Sequence, residues 1–343
     1  MSTASENKSL KSGLSRIKIL IPSLLGIGVI FYLFSDDFME IGDLNWSWKS
    51  SVAILAAVIL VVIRELAYTI RIKTLAMGKL NWRSSLDSVL LWEFASSITP
   101  TVVGGSAFAV LILKREGLSV GRSIATVLVT AVMDELFYVI SVPLVVMFVG
   151  IDAFFPDFTG AQTLFYSGYI LTCVISAIIL SALFISPVKT RAAVLRIFQI
   201  PLLNKLYSRI ELWTADWVAA SEVLKGAPKR VWIISGGATF VSWSARFLTL
   251  NAILYAFIDI VPNGEVIARQ LAMWIVLLLS PTPGAAGITE GAMPLFIEPL
   301  VCIGAFGIVV LLWRFLTYFL YLIIGAIILP GWLARTADKK RQN

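Results

Sequence analysis

Apolar residues fall in runs too long for a soluble core, and two of those runs are broken in the middle. Runs at residues 17–34, 51–70, 120–150, 164–187, 231–258 and 300–329 are each close to or above the roughly 20 residues a helix needs to cross a bilayer core about 30 Å thick. Two more, at 84–113 and 266–297, are interrupted by Ser97-Ile98-Thr99-Pro100-Thr101-Val102-Val103-Gly104-Gly105 and by Leu279-Ser280-Pro281-Thr282-Pro283-Gly284-Ala285-Ala286-Gly287-Ile288-Thr289-Glu290. Proline removes a backbone donor and glycine admits angles other residues avoid, so each stretch is predicted to break a helix inside the bilayer. Freed backbone polar groups are tolerated there only where they face protein or a watery cavity. The two breaks are therefore the predicted functional centre, with Pro100, Pro281 and Pro283 as hinges.

The flanks of the two breaks repeat as well. Arg64 lies 36 residues before Pro100 and Arg246 lies 35 before Pro281; Asp134 follows the first by 34 and Arg314 the second by 33. All four charges sit inside apolar runs, which suggests an internal duplication at an offset of about 181 residues.

Composition sets the class. The chain is 58% hydrophobic and 14% charged with mean hydropathy +0.88, far from the roughly 25% charged of a soluble domain, so it reads as an integral membrane protein. With no histidine, His-based zinc sites, Ser-His-Asp triads and histidine-ligated haem are excluded. Cys173 and Cys302 lie singly and form no CxxC pair. Nothing in the sequence asks for a metal or other cofactor.

Charge decides how the broken runs cross. With a cytoplasmic amino terminus and both broken runs folded back as hairpins, 23 of the 28 basic residues fall inside. They lie in the N-tail, 71–83, 114–122, 188–230 and the C-tail; only Lys49 and Arg269 fall outside, and Arg64, Arg246 and Arg314 stay in the membrane. Asp36, Asp37, Glu40, Asp43, Asp152, Asp157, Asp259, Glu265 and Glu298 collect on the outer side. Ordinary crossings at the breaks would put the eight basic residues of 188–230 outside, against the positive-inside rule. Arms of about 13 residues reach roughly 20 Å, past the midplane but not across.

The expectation is an all-α polytopic integral membrane protein with about six full transmembrane helices and two re-entrant half-helix hairpins in inverted repeats. Residues 1–343 form a single membrane domain, with a first repeat core at 51–150 (hairpin 84–113) and a second at 231–330 (hairpin 266–297). Between them, 188–230 is a cytoplasmic amphipathic segment in which Leu203, Leu206, Ile210, Trp213 and Trp217 recur at helical spacing; it reads either as a helix on the inner leaflet or as a topology signal alone. Ser235, Thr239, Ser242 and Arg246 make one polar stripe and Arg314, Thr317, Tyr318 and Tyr321 another. Both are expected to face the bundle, because a central arginine costs at least about 2.5 kcal/mol on insertion scales. The membrane is expected to be the plasma (inner) membrane, with both termini cytoplasmic.

The stretch from Ile98 to Glu135, with Thr99-Pro100, Gly104-Gly105, Lys114 to Gly117 and Asp134-Glu135, together with the Pro-x-Pro-Gly-x-x-Gly-x-x-Glu segment from Pro281 to Glu290, resembles the transmembrane region of lysylphosphatidylglycerol synthases. That family also includes stand-alone bacterial and archaeal proteins with a flippase-like domain. The resemblance covers most of residues 10–335 and implies translocation of a lipid between leaflets. The synthases' soluble aminoacyl-transferring domain is not expected here, since the chain runs only about ten residues past Leu333. This chain departs from the pattern at Ser106-Ala107-Phe108-Ala109 and at Ala285-Ala286.

The residues themselves suggest roles. Arg64, Arg246 and Arg314 offer planar forks of donors suited to phosphate. Half-helix amino termini at Gly104-Gly105 and from Gly287 to Thr289 add backbone donors and positive dipole ends. Glu93, Asp134, Glu135 and Glu290 either hold the arginines when substrate is absent or take a proton coupled to transport, and Thr99, Thr282 and Gly284 complete the expected substrate site. A purely structural role, with arginine and acid locking the helices, competes with that reading. Three functions remain: a transporter of a phosphate-bearing anionic lipid or lipid-linked molecule, a membrane enzyme using Glu93, Asp134 or Glu290 as acid and base, and a non-catalytic scaffold. The first is favoured and no enzymatic activity is expected. Its partners are membrane lipids and a separate lipid-modifying enzyme, with no nucleic acid.

Overall fold

The computed structural model describes residues 24, 27–35, 46–99, 101–156, 160–200, 204–224, 226–277, 280, 282–301 and 306–342. Pro100, Pro281 and Cys302, and most of the run expected at 17–34, lie outside the described residues; the part inside is helical over 27–33, with Ile30 and Phe34 buried. The described chain is all helix, with no strand.

Among the described residues, four helices are long and apolar enough to cross a membrane: α1 (Trp48–Leu75), α4 (Val120–Val149), α5 (Ala161–Leu180, extended through a wide π turn to Ile185), and the run from Phe306 to Ala337. The last consists of α12 (Phe306–Arg314), a π turn (Phe315–Phe319) and the start of α13 (Leu320–Gln342). The run expected at 231–258 forms α8 (Lys229–Leu254), long enough to span but not among those four. Arg246, together with its serines and threonines, lowers its hydropathy, and Ser235, Thr239 and Ser242 are buried, as the inward stripe requires.

Helices α1 and α8 run antiparallel in the closest pairing of the fold. Ser50 donates to the Ala256 carbonyl at 2.7 Å near one end and Arg71 donates to Thr239 Oγ1 at 3.0 Å near the other. Small buried residues on each helix, Ala53 and Ala57 on α1 and Ala238, Ser242 and Ala245 on α8, suit close approach where lipid supplies no hydrophobic driving force. At the exposed end Lys49 donates to Asp259 at 2.6 Å, which holds that carboxyl below its ordinary range.

The first broken run is a helical hairpin. Helix α2 (Trp82–Ile98) stops at Thr99, which is extended as a residue before proline tends to be, and α3 (Thr101–Arg115) returns. Ser84, at the start of α2, donates to Glu116, just past α3, at 2.6 Å, so both ends of the hairpin lie together. A Cβ at Gly105 would fall 2.3 Å from Ser96 Oγ, so only glycine lets the arms approach this closely at the tip. At about 1.5 Å per residue each arm is shorter than a bilayer core. At the base, Glu116 also accepts from Trp332 at 2.7 Å and from Arg335, anchoring the hairpin to α13.

The second broken run differs from the first. Helix α9 (Asn263–Leu277) leads to an irregular tip containing a 3-10 turn at Pro283–Ala285, and α10 (Ile288–Phe296) has nine residues before α11 (Glu298–Val301). The expected arm of about 13 residues is shorter because the tip itself continues through Gly287.

Of the segment 188–230, helices α6 (Pro187–Ile197) and α7 (Tyr207–Leu224) are described. Helix α7 buries Thr214, Ala220, Ser221 and Leu224, with Ala220 and Leu224 in one cluster with Ala125, Val129 and Val132 of α4. Leu206 is exposed, and Leu203 lies outside the described residues.

Candidate functional site

The tips of the two broken runs meet at one cavity of about 310 Å³. Ser96, Ser97 and Thr99 line it from the first, and Ser280, Thr282, Gly284 and Ala285 from the second. Tyr318, in the π turn after Arg314, touches both: its hydroxyl donates to the Ser97 carbonyl at 3.2 Å, and its ring lies where a Gly284 side chain would sit, 2.3 Å from a Cβ built there. π turns often mark functional sites because they widen a helix and re-aim side chains.

The second tip is strained. Gly284 has φ +57°, and Ala285, not glycine, also has positive φ, +53°. A left-handed alanine costs roughly 1–2 kcal/mol, less what the rigid side chain saves in the unfolded chain. Ala285→Gly is therefore expected to raise stability by about 0.5–1 kcal/mol, read as a higher thermal midpoint in detergent; a lower midpoint would contradict the strain.

Charges around the cavity are mostly matched. Asp134 accepts from Arg71 at 2.5 and 3.3 Å and from the Trp243 indole at 2.8 Å. Glu93 accepts from Arg64 at 2.5 Å. Arg314 donates through Nε to Glu290 at 2.7 Å and stacks on Tyr318 at 4.2 Å. Two charged side chains lining the cavity have no hydrogen bond or ion pair among the described residues, Arg246 and Glu135. Arg246 sits between the rings of Trp243 and Trp274, at 5.1 and 4.2 Å. Indole faces attract a cation but satisfy none of its N–H groups, so its fork stays available to an anion. Thr130 Oγ1 and Tyr138 OH, both lining the cavity, are also buried without a partner.

Of the residues expected at a substrate site, Arg246, Arg314, Glu93, Thr99, Asp134, Glu135, Thr282 and Gly284 line this cavity. Six others do not. Arg64 is 2% exposed, bonded to Glu65 at 2.8 Å, to Glu93 and to Tyr321, and flanked by the Tyr68 and Tyr321 rings; it clamps α1 to α2 and α13. Gly104 and Gly105 lie in the second turn of α3, against Thr99 and Ser96, so their N–H groups belong to the helix ladder rather than to a free terminus. Glu290, with 0% exposure, accepts the Gly287 N–H at 2.7 Å, filling the α10 terminus with its own carboxylate. Thr289 is turned back onto the Ala285 carbonyl at 2.9 Å. Of the hinges, Pro283 opens the 3-10 turn.

One correction concerns Arg71, counted above with the cytoplasmic loop. It lies inside α1, 2% exposed, and lines the cavity. Its spacing of seven residues from Arg64 was the signal, since two turns return to the same helix face. Arg269, counted outside, is likewise buried in α9 and donates to the Ala153 carbonyl at 2.9 Å. Trp92, Trp243 and Trp274 complete the aromatic lining; only Trp243, one turn before Arg246, was readable from spacing.

Residues 19–325 match the family described as lysylphosphatidylglycerol synthase TM region. The chain belongs to that family. The match spans both broken runs and every residue lining the cavity. A relative from Archaeoglobus fulgidus described as a UPF0104 membrane protein is 26% identical over 342 residues, covering 94% of this chain and 99% of its own. No solved structure matches the chain significantly. Membership in the lysylphosphatidylglycerol synthase TM family makes this a membrane protein linked to lipid metabolism or transport.

Proposed function

We propose that the protein moves a phosphate-bearing anionic lipid, or lipid-linked molecule, between leaflets by alternating access. The observation that carries this reading is the convergence of both broken tips on one cavity whose Arg246 has no counter-ion among the described residues. The phosphate docks on the Arg246 fork, with Arg314 and Arg71 nearby to strengthen the field, while the acyl chains remain in lipid. Broken helices around a midplane site are the usual construction of secondary transporters. In this proposal α2–α3 enters from the cytoplasm and α9–α10 from outside as inverted repeats, both termini are cytoplasmic, and the membrane is the plasma membrane.

An acid–base enzyme is less well supported, because Glu93, Asp134 and Glu290 each already accept from a guanidinium. The protein is accordingly proposed to alter the position of its lipid and not its chemistry, with a separate enzyme making or consuming that lipid. The test is purified protein in phosphatidylcholine vesicles doped with tail-labelled phosphatidylglycerol, phosphatidic acid or polyprenyl phosphate. The expected result is that at least one labelled lipid becomes accessible to an outer-leaflet quencher faster than in protein-free vesicles and is recovered unchanged. No acceleration for any of them, or a modified product, would overturn the reading.

A further inference from the structure

Every carboxylate around the cavity except one has a cationic partner. Glu93 is bonded to Arg64, Asp134 to Arg71 and Glu290 to Arg314. Glu135 has none among the described residues, and its Oε2 is buried without a hydrogen bond. Arg246, the one lining cation without a carboxylate, is held between two indoles instead. An ionised carboxylate inside a membrane protein with neither cation nor donor is costly, and the group relieves that cost by taking a proton.

The neighbours make such a proton useful. On its own helix Glu135 shares the cavity with Asp134, with Tyr138 one turn on and with Thr130. Tyr138 and Thr130 are 2% and 3% exposed and their hydroxyls are buried and unpartnered, so both are available to pass or hold a proton. From α1 come Tyr68 and Arg71, the latter engaged by Asp134; from α2, Glu93, engaged by Arg64. From α8 comes Arg246, and from α12 and its π turn come Arg314 and Tyr318. Helix α3 lines the cavity with Ser106 and α9 with Trp274 and Leu277, none of them titratable, and α5 and α7 do not line it.

We infer that Glu135 is a proton-binding site and that one proton travels with each lipid phosphate. An ionised Glu135 repels a phosphate arriving at Arg246 in the same low-dielectric space. A protonated one does not, so cargo and proton load together. The proton enters Glu135 from water on one side and leaves to water on the other, and no bond to the lipid forms or breaks. This rests on the lipid-moving reading above.

The experiment uses the same vesicles and labelled lipids with a transmembrane pH difference and a luminal pH dye. The wild type is expected to accumulate labelled lipid in the leaflet facing the more alkaline side. The limit is about tenfold per pH unit for one proton per lipid, because a pH unit and a tenfold ratio are the same free energy. Downhill lipid movement is expected to shift the dye. Glu135→Gln is expected to lose the accumulation and the dye signal, and Glu135→Asp to restore part of both. Wild-type protein that equilibrates lipid evenly despite the gradient, with a silent dye, would overturn proton coupling and leave lipid movement standing. An unchanged gradient response in Glu135→Gln would also overturn it. Loss of all lipid movement in the wild type would overturn both readings at once, and the wild-type dye measurement depends on no variant.

Discussion

Arg246→Ala is expected to lower lipid translocation by about 30-fold or more while leaving the protein folded. The size follows from losing a charge-assisted contact to phosphate in a desolvated site, about 2–5 kcal/mol, at one decade per 1.36 kcal/mol. The retained fold follows from what Arg246 touches: two indole rings and no carboxylate among the described residues. Its removal strands no buried anion, and loss of the ring contacts is worth about 1–2 kcal/mol. Arg246→Lys keeps the charge but loses the fork, so partial recovery is expected. Translocation rates in vesicles, with thermal midpoints on the same preparations, check both halves. Normal transport in Arg246→Ala would remove the phosphate assignment.

Arg64→Ala is expected to do the reverse and unfold the protein. Arg64 is the shared partner of Glu65 and Glu93 and a donor to Tyr321, so its loss leaves the buried Glu65 with no cation. Removing one member of a buried ion pair costs about 3–5 kcal/mol, because an uncompensated charge remains. Replacing the pair together is far milder, so Arg64→Met combined with Glu65→Gln is expected to recover most of the lost thermal stability. A wild-type melting profile for Arg64→Ala would show that the clamp is not structural. The sequence alone favours the opposite outcome for this residue, since an arginine in an apolar run looks the same whether it waits for phosphate or holds two helices together.

That ambiguity marks how far the sequence carries. The two breaks were legible because the proline steps dictate them: Thr99 and Thr282, each before a proline, are extended, the first ending α2 and the second leading into the 3-10 turn. Their meeting at one cavity was anticipated by the repeated flanks, and Arg246 and Arg314 do reach it. Arg71 was misplaced because a basic residue at the end of an apolar run reads as a membrane flank, whereas α1 continues to Leu75 and buries it against Asp134. Glu290 and Gly287 look like a free helix terminus in sequence. Only the fold reveals that the glutamate three residues on occupies that terminus itself. Helix α8 shows the same limit from the other side: Arg246 and the buried Ser235, Thr239 and Ser242 weaken its hydropathy signal although they turn inward, Thr239 accepting from Arg71 of α1.

The central claim, a phosphate-bearing lipid held at Arg246 between two broken helices, is tested most directly by native mass spectrometry of protein released from its own membrane. The account predicts that wild-type protein retains a phosphate-containing lipid, that a Lys49→Ala control with an altered surface charge retains it equally, and that Arg246→Ala loses it. Equal retention of the same lipid by Arg246→Ala and wild type would contradict the account.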